Sequence, residues 1–216
     1  MKNRLIVSVI GVLILMGVVA GGCLMQCPSS SFYVTSGSGV VPILFDNWMG
    51  SGFIIDEIDG WYHVVTARHV VEGGGEFTVV GWKGEIVAVD DTHDLAVVRF
   101  RVDLPRLIYR LGPTPSLGDV CKARGYTWNS DRSLAYFVYE GKIVSLTFEG
   151  FITANGGLFP GLSGGPLVNS DGRVIGVNVA IAMRYDCLMD STALFVPVAD
   201  LVSFLEANGY DLHLHE

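Results

Sequence analysis

Three short stretches of the sequence contain side chains that together can make an alcohol nucleophilic at neutral pH. His69 ends the run Thr-Ala-Arg-His, Asp94 precedes the run Leu-Ala-Val-Val, and Ser163 lies within Gly-Leu-Ser-Gly-Gly-Pro. In such a set the serine hydroxyl attacks a carbonyl carbon, the histidine takes its proton, and the carboxylate orients the histidine. The pattern therefore predicts an enzyme that forms an acyl intermediate on Ser163.

The histidine and the aspartate are chosen over neighbours of the same type. Asp94 is preferred to Asp90 and Asp91 because it leads directly into an apolar strand, where a carboxylate can be held against an imidazole. The remaining histidines are interpreted as surface or packing residues: His63, His93, His213 and His215.

The serine motif is the most specific of the three. Glycines on both sides of the serine allow a sharp backbone turn that leaves the hydroxyl accessible. The same turn aims the N–H groups of Gly161 and Ser163 at one point, where they would stabilise the negative oxygen of a tetrahedral intermediate. We therefore predict an oxyanion hole formed by these two groups.

Short runs rich in β-branched and aromatic residues, with turn signals between them, predict an all-β chain. One set covers residues 52–55, 62–66, 77–81, 85–89 and 95–100, and a later set covers 120–126, 136–146, 151–153, 166–169, 174–180 and 193–196. The segment 103–118, which contains three prolines, connects the two sets. Helical spacing over 198–207, with Gly209 as a stop, predicts one closing helix. His69 and Asp94 then belong to the first β unit and Ser163 to the second, which predicts a site in the cleft between them.

The first 27 residues differ from the rest. Lys2 and Arg4 precede an apolar run over residues 5–25 in which Ser8 is the only polar side chain. This arrangement predicts delivery to a membrane, with the folded part on the extracytoplasmic side. An uncleaved anchor, a lipoprotein modified at Cys23 and a cleaved signal peptide remain open. We divide the chain into a leader (1–27), a linker (28–39) and a folded region (40–210), with β units at about 40–103 and 117–197.

Composition narrows the choice of partners. The formal net charge of −8 argues against nucleic acid as a partner. Outside the leader the cysteines are Cys121 and Cys187, and their pairing stays open. Because no Cys or His spacing typical of a metal site occurs, we predict neither a metal nor a cofactor.

Several runs together resemble the trypsin-like serine proteases, and within them the HtrA (high-temperature-requirement) group. They are Gly-Ser-Gly-Phe-Ile-Ile from Gly50, Val-Val-Thr-Ala-Arg-His-Val-Val, Asp-Leu-Ala-Val, and Gly-Leu-Ser-Gly-Gly-Pro-Leu-Val followed by Gly-Arg-Val-Ile-Gly-Val-Asn. The resemblance covers about residues 38–208 and implies two six-stranded antiparallel β-barrels, an active-site cleft and a C-terminal helix, without a PDZ domain. It also implies an endopeptidase acting on exposed or unfolded polypeptide, with His69 as general base, Asp94 as its orienting group and Ser163 as nucleophile.

The same resemblance implies further roles. Leu158 would form the floor of the primary specificity pocket, with Val179 and Ala180 along its wall, so we expect cleavage after small or medium apolar residues. Val179 also stands where relatives carry a serine or threonine that supports the triad aspartate. The resemblance also implies a possible homo-oligomer, such as a trimer formed through the region of Phe32 and Tyr33. A role in protein quality control or processing is a further expectation from the family.

Two alternatives remain open. One is a catalytically inactive barrel that serves as a membrane-tethered binding module, because fold does not guarantee function. The other is a protease that processes only its own chain or a neighbouring protein, with the linker 28–39 as the cut zone.

Overall fold

The computed structural model describes residues 39–148, 150–182 and 192–211, without the side chains of residues 180–182. The predicted leader, nearly all of the predicted linker, Cys23 and Cys187 lie outside the described residues. Phe32 and Tyr33 lie outside them as well.

The first half of the chain forms one antiparallel sheet of seven strands. These are β1 (Val40–Leu44), β2 (Met49–Ile58), β3 (Trp61–Ala67), β4 (Thr78–Val79), β5 (Trp82–Lys83), β6 (Glu85–Asp90) and β7 (Leu95–Phe100). Their order in the sheet is β5-β4-β1-β2-β3-β7-β6. A single turn of helix, α1 (Arg68–Val71), follows β3 directly.

The second half forms a closed barrel. Its strands are β8 (Val120–Trp128), β9 (Leu134–Phe148), β10 (Phe151–Asn155), β11 (Pro166–Val168), β12 (Val174–Ala182) and β13 (Thr192–Pro197). They close in the order β10-β13-β12-β11-β8-β9. The chain then forms α2 (Val198–Ala207), which buries Val198, Leu201, Phe204 and Leu205.

The predicted all-β class with a closing helix is confirmed, and α2 has the predicted bounds. The first sheet differs in detail from a closed six-stranded barrel, because β5 and β6 form its two edges. The predicted strand 77–81 contains β4 and the two residues of the turn that leads into β5. Val80 and Gly81 both have positive φ, at 54° and 84°, which is the backbone that a tight two-residue hairpin turn requires.

Besides β5, two elements were not predicted from the sequence, β1 and α1. Strand β1 contains Pro42, and a proline inside an apolar run argues against a strand. Its place near the sheet edge resolves the conflict, since β1 pairs with β4 only through Ile43 and Leu44. Helix α1 is too short to show a helical period.

One apolar layer joins the two sheets. It includes Phe53 of β2, Tyr126 of β8, Val168 of β11 and Leu201 of α2, all buried in one cluster. Burial of side chains from both halves in a common core fixes the position of one sheet against the other. A site assembled from both sheets can therefore keep a defined geometry.

A buried polar contact ties the end of the chain to the first sheet. His63 of β3 and Tyr210, just beyond α2, lie 2.6 Å apart between Nδ1 and Oη. Burial lowers the pKa of His63, as does Arg99, while Asp56 acts in the opposite direction. Burial raises the pKa of Tyr210 to about 12. The tyrosine hydroxyl therefore donates to a neutral imidazole.

This contact makes stability depend on pH. Because the pKa of His63 is lower in the folded state than its usual 6.5, the unfolded chain takes up the proton first as pH falls. The free energy of unfolding should thus decrease below about pH 6.5 and stop decreasing once folded His63 is also protonated. Urea unfolding at pH 7.5 and 5.5 measures this decrease.

The His63→Gln variant should show a smaller decrease between the two pH values, whatever its absolute stability. Ser203→Ala, at an exposed serine of α2, is the control and should keep the decrease of the parent. An unchanged decrease in His63→Gln would contradict the assignment.

Candidate active site

His69 and Asp94 are joined by two hydrogen bonds. His69 lies in α1, and its Nδ1 is 2.7 Å from Asp94 Oδ2, while its backbone N–H donates to Oδ1 at 2.9 Å. A carboxylate can only accept, so Nδ1 carries the proton and the neutral ring leaves the Nε2 lone pair free. The His69 side chain is 41% exposed, so Nε2 can act on a molecule that enters from solvent.

The turn between β6 and β7 fixes the carboxylate of Asp94. The side chain of Asp90 accepts from the backbone N–H of Thr92 at 2.7 Å and lies 2.8 Å from Nδ1 of His93. Partial burial opposes ionisation of Asp90, but these hydrogen bonds prevail and lower its pKa. Asp94 itself has φ of 56°, a backbone region that aspartate tolerates better than most residues.

Arg68 connects this turn to α1. Its guanidinium contacts Asp91 at 2.6 Å and Glu72 at 3.0 Å, and its backbone N–H donates to the Asp94 carbonyl at 3.0 Å. The residue before His69 therefore contacts both elements that hold the His69–Asp94 pair. The sequence analysis assigned it no role.

The turn around Ser163 packs against the end of β3. Gly164 has φ of 83°, and a Cβ on it would collide with the Thr66 hydroxyl, the Ser51 carbonyl and the backbone nitrogen of Ala67. Only glycine permits this approach, which brings Ser163 beside the residues that lead into His69. The structure thus brings the three predicted stretches together.

The backbone of the same turn leaves two donors available. The N–H groups of Leu162, Gly164 and Gly165 donate to backbone carbonyls of Phe159, Asn178 and Leu162. Those of Gly161 and Ser163 donate no hydrogen bond within the part of the chain that the structure describes. Gly161 has φ of 97°. These are the two donors that the sequence predicts for an oxyanion hole.

The Ser163 hydroxyl has a partner of its own. Oγ donates to the Val179 carbonyl at 3.2 Å. Between residues 39 and 211, as far as they are described, no hydrogen bond joins Ser163 to His69. The hydroxyl must exchange this partner for Nε2 before His69 can take its proton.

Ser51, to which the sequence analysis gave no role, connects the first sheet to this turn. Its N–H donates to the Ser163 carbonyl at 2.8 Å, and its Oγ donates to the Gly161 carbonyl at 2.7 Å. Oγ also accepts from the Tyr126 N–H at 2.8 Å, while its carbonyl accepts from the Thr66 hydroxyl at 2.7 Å. The signal in the sequence was a serine between two glycines at the start of an apolar strand.

Asn178 supports the turn from the second barrel. It is fully buried in β12, and its Nδ2 donates to the carbonyls of Arg124 and Leu162 at 3.0 and 3.1 Å. A single polar residue in the apolar run 174–182 could have indicated this role, because a buried amide requires partners.

The predicted specificity residues lie in or beside the second barrel. Leu158 is buried in the barrel's apolar core, and Val179 is buried in the layer between the sheets. Ala180 is part of β12, and its side chain lies outside the described part. Phe159 is half-exposed and packs edge to face on Phe137, with ring centroids 4.8 Å apart. The roles predicted for Leu158, Val179 and Ala180 stay predictions.

Within 39–148, 150–182 and 192–211, no group of three or more His, Cys, Asp or Glu side chains is placed to hold a metal ion. In the same residues, no helix has the length and apolarity needed to cross a bilayer.

Comparison with known proteins gives a family match over more than half of the chain. Residues 50–177 match the model of the trypsin-like peptidase domain. A Chlamydia muridarum protein described as a probable periplasmic serine endoprotease, DegP-like, is 37% identical over 142 residues, which are 61% of this chain and 28% of that protein. The serine protease Do-like HtrA of Bacillus subtilis is 29% identical over 171 residues, covering 71% and 38% of the two chains.

A solved structure has the same fold. The serine endoprotease from Yersinia pestis superimposes with a TM-score of 0.64 at 24% identity, over 79% of this chain and 62% of the other. The present chain spans about a third of the length of the two curated relatives, at 28% and 38%.

Removal of the Ser51 hydroxyl should disturb the Ser163 turn. Ser51→Ala leaves the Gly161 carbonyl and the Tyr126 N–H without their buried partner, which should lower the free energy of unfolding by about 1–3 kcal/mol. Reaction of Ser163 with a fluorophosphonate should also slow, because the Gly161 peptide is no longer fixed. Urea unfolding and the labelling rate measure the two effects.

Ser203→Ala is the matched control. Ser203 also donates to a backbone carbonyl, that of Ala199, but in the exposed part of α2. It should change stability by no more than about 0.5 kcal/mol and leave labelling unchanged. Equal effects of the two substitutions would remove the special role of Ser51.

Proposed function

Because the chain belongs to the trypsin-like peptidase domain family, we propose that it is a serine endopeptidase with Ser163 as nucleophile, His69 as general base and Asp94 as the group that orients His69. The observation that carries this proposal is the pair of hydrogen bonds from His69 to both carboxylate oxygens of Asp94. They fix the tautomer in which Nε2 can accept a proton.

In the first half of the reaction Ser163 is acylated. Its hydroxyl leaves the Val179 carbonyl, turns to Nε2 of His69 and gives up its proton as Oγ attacks the carbonyl carbon of the scissile peptide. The N–H groups of Gly161 and Ser163 stabilise the negative oxygen that forms. Asp94 stabilises the positive imidazolium, which then protonates the leaving amine as the C–N bond breaks.

In the second half a water molecule takes the place of the amine. His69 removes a proton from the water, and the resulting hydroxide attacks the ester carbon of the acylated serine. The same two N–H groups stabilise the second tetrahedral intermediate. Return of the proton from His69 to Ser163 Oγ releases the new carboxylate terminus and restores the enzyme.

The proposed substrates are exposed or unfolded polypeptides outside the cytoplasm. This part of the proposal is supported by the relative described as periplasmic and by the charged and apolar pattern of residues 1–27. We place the folded region on the extracytoplasmic side of a membrane, held by an anchor helix or a lipid on Cys23. A role in quality control or processing, and assembly into a homo-oligomer such as a trimer, belong to the same proposal.

A specific observation also supports the inactive or self-processing alternative. The Ser163 hydroxyl donates to the Val179 carbonyl and must give up this partner before His69 can activate it. A chain in which this orientation persists would have the fold and the triad residues without general proteolysis.

Labelling with a fluorophosphonate separates these functions, because only an activated serine reacts at a useful rate. We expect the parent protein to be labelled, Ser163→Ala to be unlabelled, and His69→Ala to react about 10²–10⁴-fold more slowly because the general base is lost. Ser203→Ala, at an exposed serine of α2, is the control for loss of a serine hydroxyl. It should be labelled like the parent.

The outcomes have distinct meanings. An unlabelled parent protein would contradict the endopeptidase proposal and favour the binding module. Labelling with cleavage confined to the protein's own linker would favour self-processing.

The site should also select its substrates by size and polarity. With Leu158, Val179 and Ala180 in the proposed pocket, we expect cleavage after small or medium apolar residues, because these side chains offer no charge to a basic residue. A peptide library cleaved by the parent protein, with Ser163→Ala as the background, measures the preference. A profile dominated by cleavage after arginine or lysine would overturn it.

A further inference from the structure

A second histidine–aspartate pair lies directly before Asp94 in the chain. His93 Nδ1 is 2.8 Å from Asp90 Oδ2, and the His93 backbone N–H donates to Oδ1 of the same carboxylate at 3.3 Å. His69 contacts Asp94 in the same manner, through Nδ1 on Oδ2 and its backbone N–H on Oδ1. One carboxylate thus holds both the imidazole and the main chain of His93, which the sequence analysis interpreted as a surface or packing histidine.

The backbone of Asp94 needs support from its neighbours. Its φ of 56° lies in the left-handed region, which most L-residues avoid. The Asp94 carbonyl accepts from the Arg68 N–H at 3.0 Å, which holds the peptide that follows Asp94. The residue that precedes Asp94 is His93, and its contacts with Asp90 hold the chain on that side. The position of the Asp94 carboxylate therefore depends on contacts on both sides.

Asp90 is the acceptor for the whole turn. Its carboxylate receives the Thr92 N–H at 2.7 Å in addition to the two donors of His93, and only 17% of its side chain is exposed. Loss of a partner is unfavourable for an acceptor that is largely buried. Without the imidazole, Oδ2 of Asp90 would turn toward water, and the turn of residues 90–94 would change with it.

We propose that His93 is a positioning residue for the general base, because it holds the turn of residues 90–94 so that the carboxylate of Asp94 meets both donors of His69. The inference rests on the proposed function for the roles of His69 and Asp94. His93 acts through Asp90 and the main chain of the turn, and this role needs no contact with the substrate.

The contact does not depend on the charge of His93. A carboxylate only accepts hydrogen bonds, so Nδ1 of His93 carries a proton in the neutral ring and in the imidazolium alike. We therefore expect His93 to hold the turn at every pH at which Asp90 is ionised.

Two substitutions at position 93 separate the hydrogen bond from the size of the side chain. The amide of His93→Asn can donate to Asp90 from a place close to that of Nδ1, whereas His93→Leu has a similar size and no donor. In the full chain, His93→Leu should slow the labelling of Ser163 by a fluorophosphonate about 10–100-fold, because a small displacement of a catalytic group has a large effect on rate. His93→Asn should recover most of the parent rate.

Lys83→Leu is the control for loss of an exposed contact with a carboxylate. Lys83 belongs to β5 of the same sheet and contacts Glu76 at 3.3 Å, and its substitution should leave the labelling rate unchanged. Far-UV circular dichroism checks that each variant is folded. His93→Ala, which also lacks a donor, replaces His93→Leu if that variant does not fold.

Asp90→Ala shows whether His93 acts through Asp90. It removes the shared acceptor, so it should itself slow labelling, and His93→Leu should then cause little further loss, since residues that act as a unit are not additive. A difference between the Asn and Leu variants that persists in Asp90→Ala would come from the turn preference of asparagine and would overturn the proposal.

Proton NMR reports on the contact between His69 and Asp94 without relying on Ser163. The Nδ1–H of His69, assigned by its loss in His69→Gln, should give a low-field resonance in the parent and in His93→Asn. In His93→Leu this resonance should broaden or disappear, because the proton exchanges with water more readily once Asp94 is displaced. This result would support the positioning role even in a parent protein that is not labelled, where only the proposed function fails.

Two further results would overturn the positioning role. One is a His69 resonance that is unchanged in His93→Leu, whatever the labelling rate. The other is an equal loss of that resonance in His93→Asn and His93→Leu, since the hydrogen bond to Asp90 would then be irrelevant.

Discussion

The hydrogen bonds of Ser51 are the constraint on which the geometry of the site depends. Ser51 belongs to the first sheet, yet it contacts the carbonyls of both Gly161 and Ser163 in the second barrel. Its Oγ also accepts from Tyr126, so one fully buried hydroxyl connects two strands and the serine turn. Because buried polar groups lose much free energy without partners, these contacts favour a single arrangement of the two sheets.

Contacts within the first sheet and within the second barrel fix the remaining parts of the site. On the first sheet, Arg68 and Asp90 hold α1 and the turn before β7, which sets the distance between His69 and Asp94. On the second barrel, Asn178 holds the carbonyl of Leu162. The shared apolar layer holds the first sheet and the second barrel in a fixed relative position. The contact of the Ser163 hydroxyl with the Val179 carbonyl defines its resting orientation.

Strand β3 extends from the candidate active site to the opposite end of the first sheet. Strand β3 begins at Trp61, which lies beneath Arg99 and Arg101, and ends beside the Ser163 turn. Two arginines therefore lie at one end of the strand, and the candidate catalytic groups lie at the other. Burial of His63 in the middle of β3 joins this strand to Tyr210 and the end of the chain.

The sequence by itself determined the strands with a regular apolar pattern, the closing helix and the three stretches around His69, Asp94 and Ser163, because these depend on local spacing and residue type. It did not reveal the Val80–Gly81 turn, since a positive φ at valine is set by the packing around it. It also gave no role to Ser51, Arg68 or Asn178. Their partners are up to 110 residues away along the chain, and only the tertiary structure decides which buried polar groups meet.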